Sequence, residues 1–166
     1  MIYSVVIFRD NQIIHHERFG RDMNQSLEEF QHSEKLLLGM ISAVRGIVGM
    51  LSADNPANKF ESLTTPEFRL DYYETLTGYA FVVLSQAGIP VNPSEIRSEF
   101  EKLYNLLFIP LVIRNPLFNP RNLSGDLRDS SCFAFLGELK NHFQSFSRSV
   151  PANVTVPIMS SPQLLL

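Results

Sequence analysis

Four histidines and one cysteine are the residues of this 166-residue chain best suited to proton transfer, nucleophilic attack or metal ligation. Their spacing argues against all three. His15 and His16 are adjacent in a strand-like run, so their side chains point to opposite faces and do not form one site. His32 and His142 fall on the surfaces of helical segments, and no HxxxH, HExxH or Cys–His spacing occurs. Cys132 lies on the apolar face of a segment rich in Phe and Leu, where burial disfavours the thiolate. It is expected to be a packing residue, with surface lipidation as the residual alternative. Glu99 and Glu101 flank Phe100 on a solvated helix face, and Asp71 and Glu74 sit around a strand end near Arg69; surface salt bridges account for both groups. Ser130-Ser131 lacks the strand–turn context of a nucleophile. Neither GxxxxGK[ST] nor GxGxxG is present. No catalytic residue, metal ligand or cofactor-binding residue is assigned.

The elements that would position these residues follow from periodicity. Ile2–Arg9 and Ile13–Phe19 are β-branched and aromatic runs joined by Asp10-Asn11, two residues that tolerate left-handed backbone, which predicts an N-terminal hairpin. The first strand is apolar on both faces (Tyr3, Val5, Ile7 and Ile2, Val6, Phe8), as a central strand would be. Ser26 and Glu29 form a capping-box pattern ahead of a long helix over 27–51. Its apolar residues fall into two stripes roughly 120° apart at about 100° per residue. Phe30, Leu37, Ile41, Val44 and Val48 form the first, and Leu36, Met40, Ala43, Ile47 and Met50 the second. One stripe can cover a sheet. The other must meet a second helix of this chain or another protein, and the latter makes these five residues the candidate subunit interface. Gly39, Gly46 and Gly49 within the same helix are either tolerated surface positions or points where another backbone comes close.

Residues 59–64, 68–74 and 79–85 read as three further strands, the last two joined by Thr75-Leu76-Thr77-Gly78. Asn92-Pro93-Ser94-Glu95 opens a helix over about 93–114, with Ile96, Phe100, Leu103, Leu107 and Leu111 inward and a kink at Pro110. A third helix spans about 128–146, with Cys132, Phe135, Leu136, Leu139, Phe143 and Phe146 on its apolar face. From Ser147 the chain becomes a Pro-punctuated Ser/Val/Leu tail. The order β-β-α-β-β-β-α-α predicts an α+β domain over 1–146, a five-stranded antiparallel sheet with one helix on one face and two on the other, followed by an irregular tail over 147–166.

Composition narrows the class. A 45% apolar content with 13 Phe supports one packed core. A net charge of -3 without a basic block speaks against nucleic acid as a partner. A single cysteine excludes an internal disulfide and fits a reducing compartment. The run Ile2–Phe8 lacks the features of a signal peptide, and no apolar stretch reaches the roughly 20 residues of a spanning helix, so membrane contact is expected to be peripheral.

Four segments carry a resemblance: Ile2-Tyr3-Ser4-Val5-Val6-Ile7-Phe8; Lys35 through Arg45; Phe68 through Gly78, with its Tyr72-Tyr73-Glu74-Thr75-Leu76-Thr77-Gly78 run; and Leu111 through Leu117. In this order they resemble the longin-type small subunits of the TRAPP vesicle-tethering complex, over roughly residues 1–146. The resemblance implies a longin-like (profilin-like) fold. It also implies a non-catalytic core subunit in ER-to-Golgi transport, cytoplasmic and peripheral to endoplasmic reticulum and Golgi membranes. Partners would be other TRAPP subunits, including a palmitoylated Bet-family subunit, and a Rab/Ypt GTPase whose nucleotide exchange the assembly promotes. No cofactor is implied. The second stripe of the long helix, with the neighbouring segment 59–64, would be the subunit interface. The alternative is a longin domain of a SNARE or an adaptor/coat subunit. A SNARE would continue into apolar heptads and a membrane anchor, which the Pro-broken tail does not resemble.

Overall fold

A computed structural model describes residues 1–19, 27–52, 59–88, 92–119, 127 and 132–149, with side chains from 31 in the first helix and up to 145 in the last. The elements are β1 (Ile2–Arg9), β2 (Gln12–Arg18), α1 (Leu27–Leu51), β3 (Ser62–Thr64), β4 (Phe68–Glu74), β5 (Tyr79–Gln86), α2 (Pro93–Lys102), a π-helical continuation over Leu103–Ile113, and α3 (Phe133–Ser149). The Ser26 cap, the Phe30 and Phe146 side chains and the tail lie outside the described residues.

The strands form one antiparallel sheet in the order β2-β1-β5-β4-β3. Strand alternation then separates two cores. Val5, Ile7, Tyr79, Phe81 and Val83 face α2, the π-helical segment and α3, together with Phe100, Leu103, Phe108, Val112, Phe135 and Leu139. Val6, Phe8, Leu70, Tyr72, Ala80 and Val82 face α1 through Ile41, Leu37, Val44 and Val48. This is the predicted α+β layering, and β1 is central and covered on both faces. Ile2, however, packs with Val5 and Ile7, because the β1–β5 register shifts between Ile2 and Ser4.

The β1–β2 and β4–β5 turns rest on backbone that the sequence anticipates. Asp10 and Asn11 take φ of 50° and 61°, and Gly78 takes φ of 81°. A Cβ at Gly78 would meet nothing within 4 Å, so the cost of Gly78→Ala is backbone strain alone. We expect that variant to lose about 1–2 kcal/mol in urea unfolding. At α2 the Asn92 side chain accepts from the Ser94 N–H at 3.1 Å, with Pro93 in the first turn.

The structure corrects four readings. The strand predicted over 59–64 is shorter, Ser62–Thr64, although the Tyr72 N–H still donates to the Glu61 carbonyl. The helix after Pro93 does not stay α-helical. Over Leu103–Ile113 it widens, so that the Arg114 N–H reaches the Ile109 carbonyl five residues back at 3.0 Å. Pro110 has no N–H to give, and in an α-helix its ring would crowd the carbonyl four residues earlier. The wider turn advances the buried positions from the expected 103, 107, 111 to Leu103, Phe108 and Val112, leaving Leu107 and Leu111 half-buried. Cys132 is buried but precedes α3, which starts at Phe133. Finally, Arg69 and Asp71 form a largely buried ion pair at 2.9 Å and not a surface one.

Candidate functional site

The polar residues come first, since they could carry chemistry. His15 and His16 do point to opposite faces. The β1–β2 register steps from Phe8↔Ile13 to Ile7↔His15, a bulge that places both Ile14 and His15 toward α3. His15 is buried, with Nε2 at 3.4 Å from Glu17 Oε2, and Lys140 Nζ of α3 reaches Glu17 Oε1 at 3.1 Å. Burial works to raise the Glu17 pKa, but the bonds from His15 and Lys140 outweigh it and hold the carboxyl below its ordinary value. His16 turns to α1 and meets Glu34 at 3.0 Å. These contacts tie β2 to a helix on each face. Sequence reasoning placed the histidines but missed Glu17 and Glu34, whose pairing depends on helices distant in sequence.

His142 of α3 sits 3.3 Å from Glu99 of α2, whose other carboxylate oxygen receives Lys102. Burial pushes the imidazole pKa below its ordinary value, more than the Glu99 charge raises it. A folded-state pKa below the unfolded one means that the unfolded chain binds the proton more tightly. Stability from this group is therefore full above the ordinary histidine pKa of about 6.5 and falls as pH drops through the lower folded value. His142→Gln is expected to lose less stability than the wild type between about pH 6.5 and 5, as read from urea midpoints at each pH. Burial likewise raises the Cys132 thiol, to which the Asn115 amide donates at 3.5 Å. Among the described residues no group of three or more His, Cys, Asp or Glu could hold a metal ion.

The Tyr-Tyr-Glu-Thr-Leu-Thr-Gly run builds a joint between α1 and the sheet. Arg45, the one charge in the apolar stretch 36–51, donates twice to Glu74 at 2.8 and 3.0 Å. The Tyr72 hydroxyl donates to the same carboxylate at 2.9 Å, and the Arg45 guanidinium lies 5.6 Å from the centre of the Tyr72 ring. Burial and the neighbouring Glu74 push the Tyr72 pKa well up. On the other side, Tyr73 stacks on Phe100 of α2 with ring centres 5.7 Å apart. Thr75 Oγ1 accepts from the Tyr79 N–H at 3.0 Å and, with Gly78, closes the turn, and Leu76 at its tip is fully exposed.

What remains is apolar surface. Leu36, Ile47 and Met50 are 61%, 56% and 81% exposed, and Ala43 is exposed with them. Leu51 extends the same strip at 83%. Met40 is the exception among the five: it lies on the shoulder of the helix and packs partly into the α1-side core. α2 and α3 do not cover the strip, because both lie on the opposite face of the sheet. At Gly39, Gly46 and Gly49 an added Cβ would meet nothing of the described chain within 4 Å. Arg45, on the far side of the helix from the strip, anchors α1 through Glu74 and so fixes which face points outward. No helix among the described residues is long and apolar enough to cross a membrane.

The chain is 31% identical to trafficking protein particle complex subunit 1 of Dictyostelium discoideum, over 71% of this chain and 81% of that protein. It is 26% identical to the human protein of the same name, over 70% of this chain and 77% of the relative. Human trafficking protein particle complex subunit 4 shares 34% identity over 61% of this chain and 42% of its own length. The Sybindin-like family matches residues 2–125, which include the whole sheet, α1, the Arg45–Glu74–Tyr72 joint and the exposed strip. The chain belongs to the Sybindin-like family.

Proposed function

We propose that this protein is a non-catalytic core subunit of a vesicle-tethering particle acting in ER-to-Golgi transport. Its contribution is surface, presented to neighbouring subunits and, within the assembly, to a Rab/Ypt GTPase whose nucleotide exchange the particle promotes. The observation that carries the reading is the exposed apolar strip Leu36, Ala43, Ile47 and Met50 on a helix anchored by its opposite side. A strip of this kind is more than a soluble monomer ordinarily leaves open. The names of the relatives, each a subunit of a trafficking particle, support the same reading. The subunit interface on this account comprises the strip, Met40 at its shoulder, and the edge segment leading into β3. A palmitoylated subunit of the particle is one neighbour, and contact with endoplasmic reticulum and Golgi membranes is peripheral, through the assembly.

The test is capture of the full-length tagged chain from native lysate, with mass spectrometry of what accompanies it. Stoichiometric recovery of trafficking-particle subunits supports the assignment. Recovery of none of them overturns it.

A further inference from the structure

The apolar arc of α1 is wider than one packing surface needs. Leu37, Ile41, Val44 and Val48 meet the sheet, and Leu38 and Met40 pack at the two margins of that contact. Leu36, Ala43, Ile47 and Met50 continue the arc into solvent. At about 100° per residue the inner and outer sets are centred roughly 120° apart, and each offers apolar side chains at helical spacing. Apolar burial is non-directional and follows area, so it draws either set to the sheet. A roll of α1 by about a third of a turn would exchange them.

What distinguishes the two orientations is polar. Arg45 Nη2 donates to both oxygens of Glu74 at 2.8 and 3.0 Å, and the Tyr72 hydroxyl holds the same carboxylate at 2.9 Å. Nearer the other end of α1, Glu34 Oε1 lies 3.0 Å from His16 Nδ1, with both side chains largely buried. Positions 34 and 45 are three turns apart and fall within about 20° of each other around the helix, on the side away from the strip. Their partners stand on β2 and β4, the strands that flank the β1–β5 pair, so α1 is pinned on both sides of the sheet's centre. A roll by a third of a turn carries both side chains off their partners together. Breaking a partly buried pair leaves each charge without its partner, which is costly. The pins therefore select between packings that apolar burial leaves nearly equal.

We infer that Arg45 and Glu34 are positioning residues that fix the roll of α1, through Glu74 with Tyr72 and through His16, and so keep Leu36, Ala43, Ile47 and Met50 on the outside. Without the two pins, α1 turns this strip onto the sheet and puts Leu37, Ile41, Val44 and Val48 outside. The chain stays folded and loses the surface. The consequence for assembly rests on the reading of the strip as a partner surface; the roll itself does not.

Thiol labelling of the full chain with a maleimide reads the roll. Ile47→Cys reports the strip, and Ile41→Cys reports the sheet side, where Ile41 is buried. The native Cys132, also buried, supplies the slow background rate, measured in the chain without either change. With the pins in place, position 47 labels fast and position 41 slowly. Arg45→Met combined with Glu34→Gln is expected to reverse that order, slowing position 47 and speeding position 41, each several-fold, while urea unfolding stays cooperative. Arg45→Lys with Glu34 kept should preserve the native order, because the charge pair survives. Glu74→Gln, which keeps the shape of that side chain, is measured alongside and should move both rates in the same directions as the double change. Any other pattern overturns the inference. An unchanged order means that burial alone fixes the roll, and fast labelling at both positions means that α1 lifts away or melts. No partner is present, so failure here leaves the subunit reading to its own capture experiment.

Discussion

Ile47→Glu combined with Met50→Glu is expected to weaken assembly with a partner subunit by at least about 100-fold while leaving the stability of the isolated chain within roughly 0.5 kcal/mol. The two halves of that expectation come from one geometric fact. Both side chains are more than half exposed on α1, and the contacts that hold the helix lie on another part of its circumference, through Ile41, Val44, Val48 and Arg45. A carboxylate there costs the free domain nothing, because water solvates it. In a closed interface it must be desolvated among apolar groups, and two such burials exceed the roughly 2.7 kcal/mol that a 100-fold change represents. The checks are co-purification with the partner and urea unfolding of the chain alone. Unchanged assembly would remove the strip from the interface. A large loss of stability would show that the face is covered within this chain. Met40→Glu is the wrong probe, since that side chain is partly in the core and its loss mixes folding with assembly.

Phe108→Ala should have the largest effect on stability, a loss of about 3–5 kcal/mol. Its ring is fully buried in the core between the sheet and α2, the π-helical segment and α3, with ring centres of Tyr79, Phe81 and Phe135 at 5.0, 5.2 and 5.5 Å. Removing it leaves a cavity walled by three aromatic side chains that cannot all collapse inward. For a domain of this length the melting point should fall by roughly 10 °C. Leu107→Ala, one residue earlier and half-buried, should cost about 1 kcal/mol. The ratio between the two tests the π-helical register directly. In an α-helix continuing from Phe100 and Leu103, position 107 would face inward and position 108 would not, and the costs would be reversed. Urea midpoints for the two variants decide it.

Local and strongly periodic features were legible in the sequence. β1, β4 and α1 appear at the residues expected, because alternation and the 3.6-residue period are set by neighbours along the chain. The Asp10-Asn11 and Gly78 turns follow from backbone conformations that few other residues accept. The two-stripe character of α1 was also readable, and with it the five residues of the second stripe as a set; that Leu36, Ala43, Ile47 and Met50 of these are exposed was not.

Three things depended on the tertiary structure. Whether the second stripe was covered turned on which face of the sheet α2 and α3 occupy, a matter of chain topology that periodicity does not encode. Met40 moved to the core because the sheet-facing arc of α1 is wide enough to take in its shoulder. The shift from Leu107 and Leu111 to Phe108 and Val112 arose where Pro110 breaks the α-helical hydrogen-bond pattern and the chain widens its turn. From that point the α period no longer describes it. The pairs that anchor the elements, Arg45 with Glu74, His16 with Glu34 and Lys140 with Glu17, join residues at least 18 positions apart, and only folding brings them within reach. The residue types and their local order thus determined a domain with a second apolar stripe on α1 and no assigned reactive group. The packing of the helices on opposite faces of the sheet decided that, among the described residues, α2 and α3 leave this face uncovered, because their apolar residues are buried on the other side.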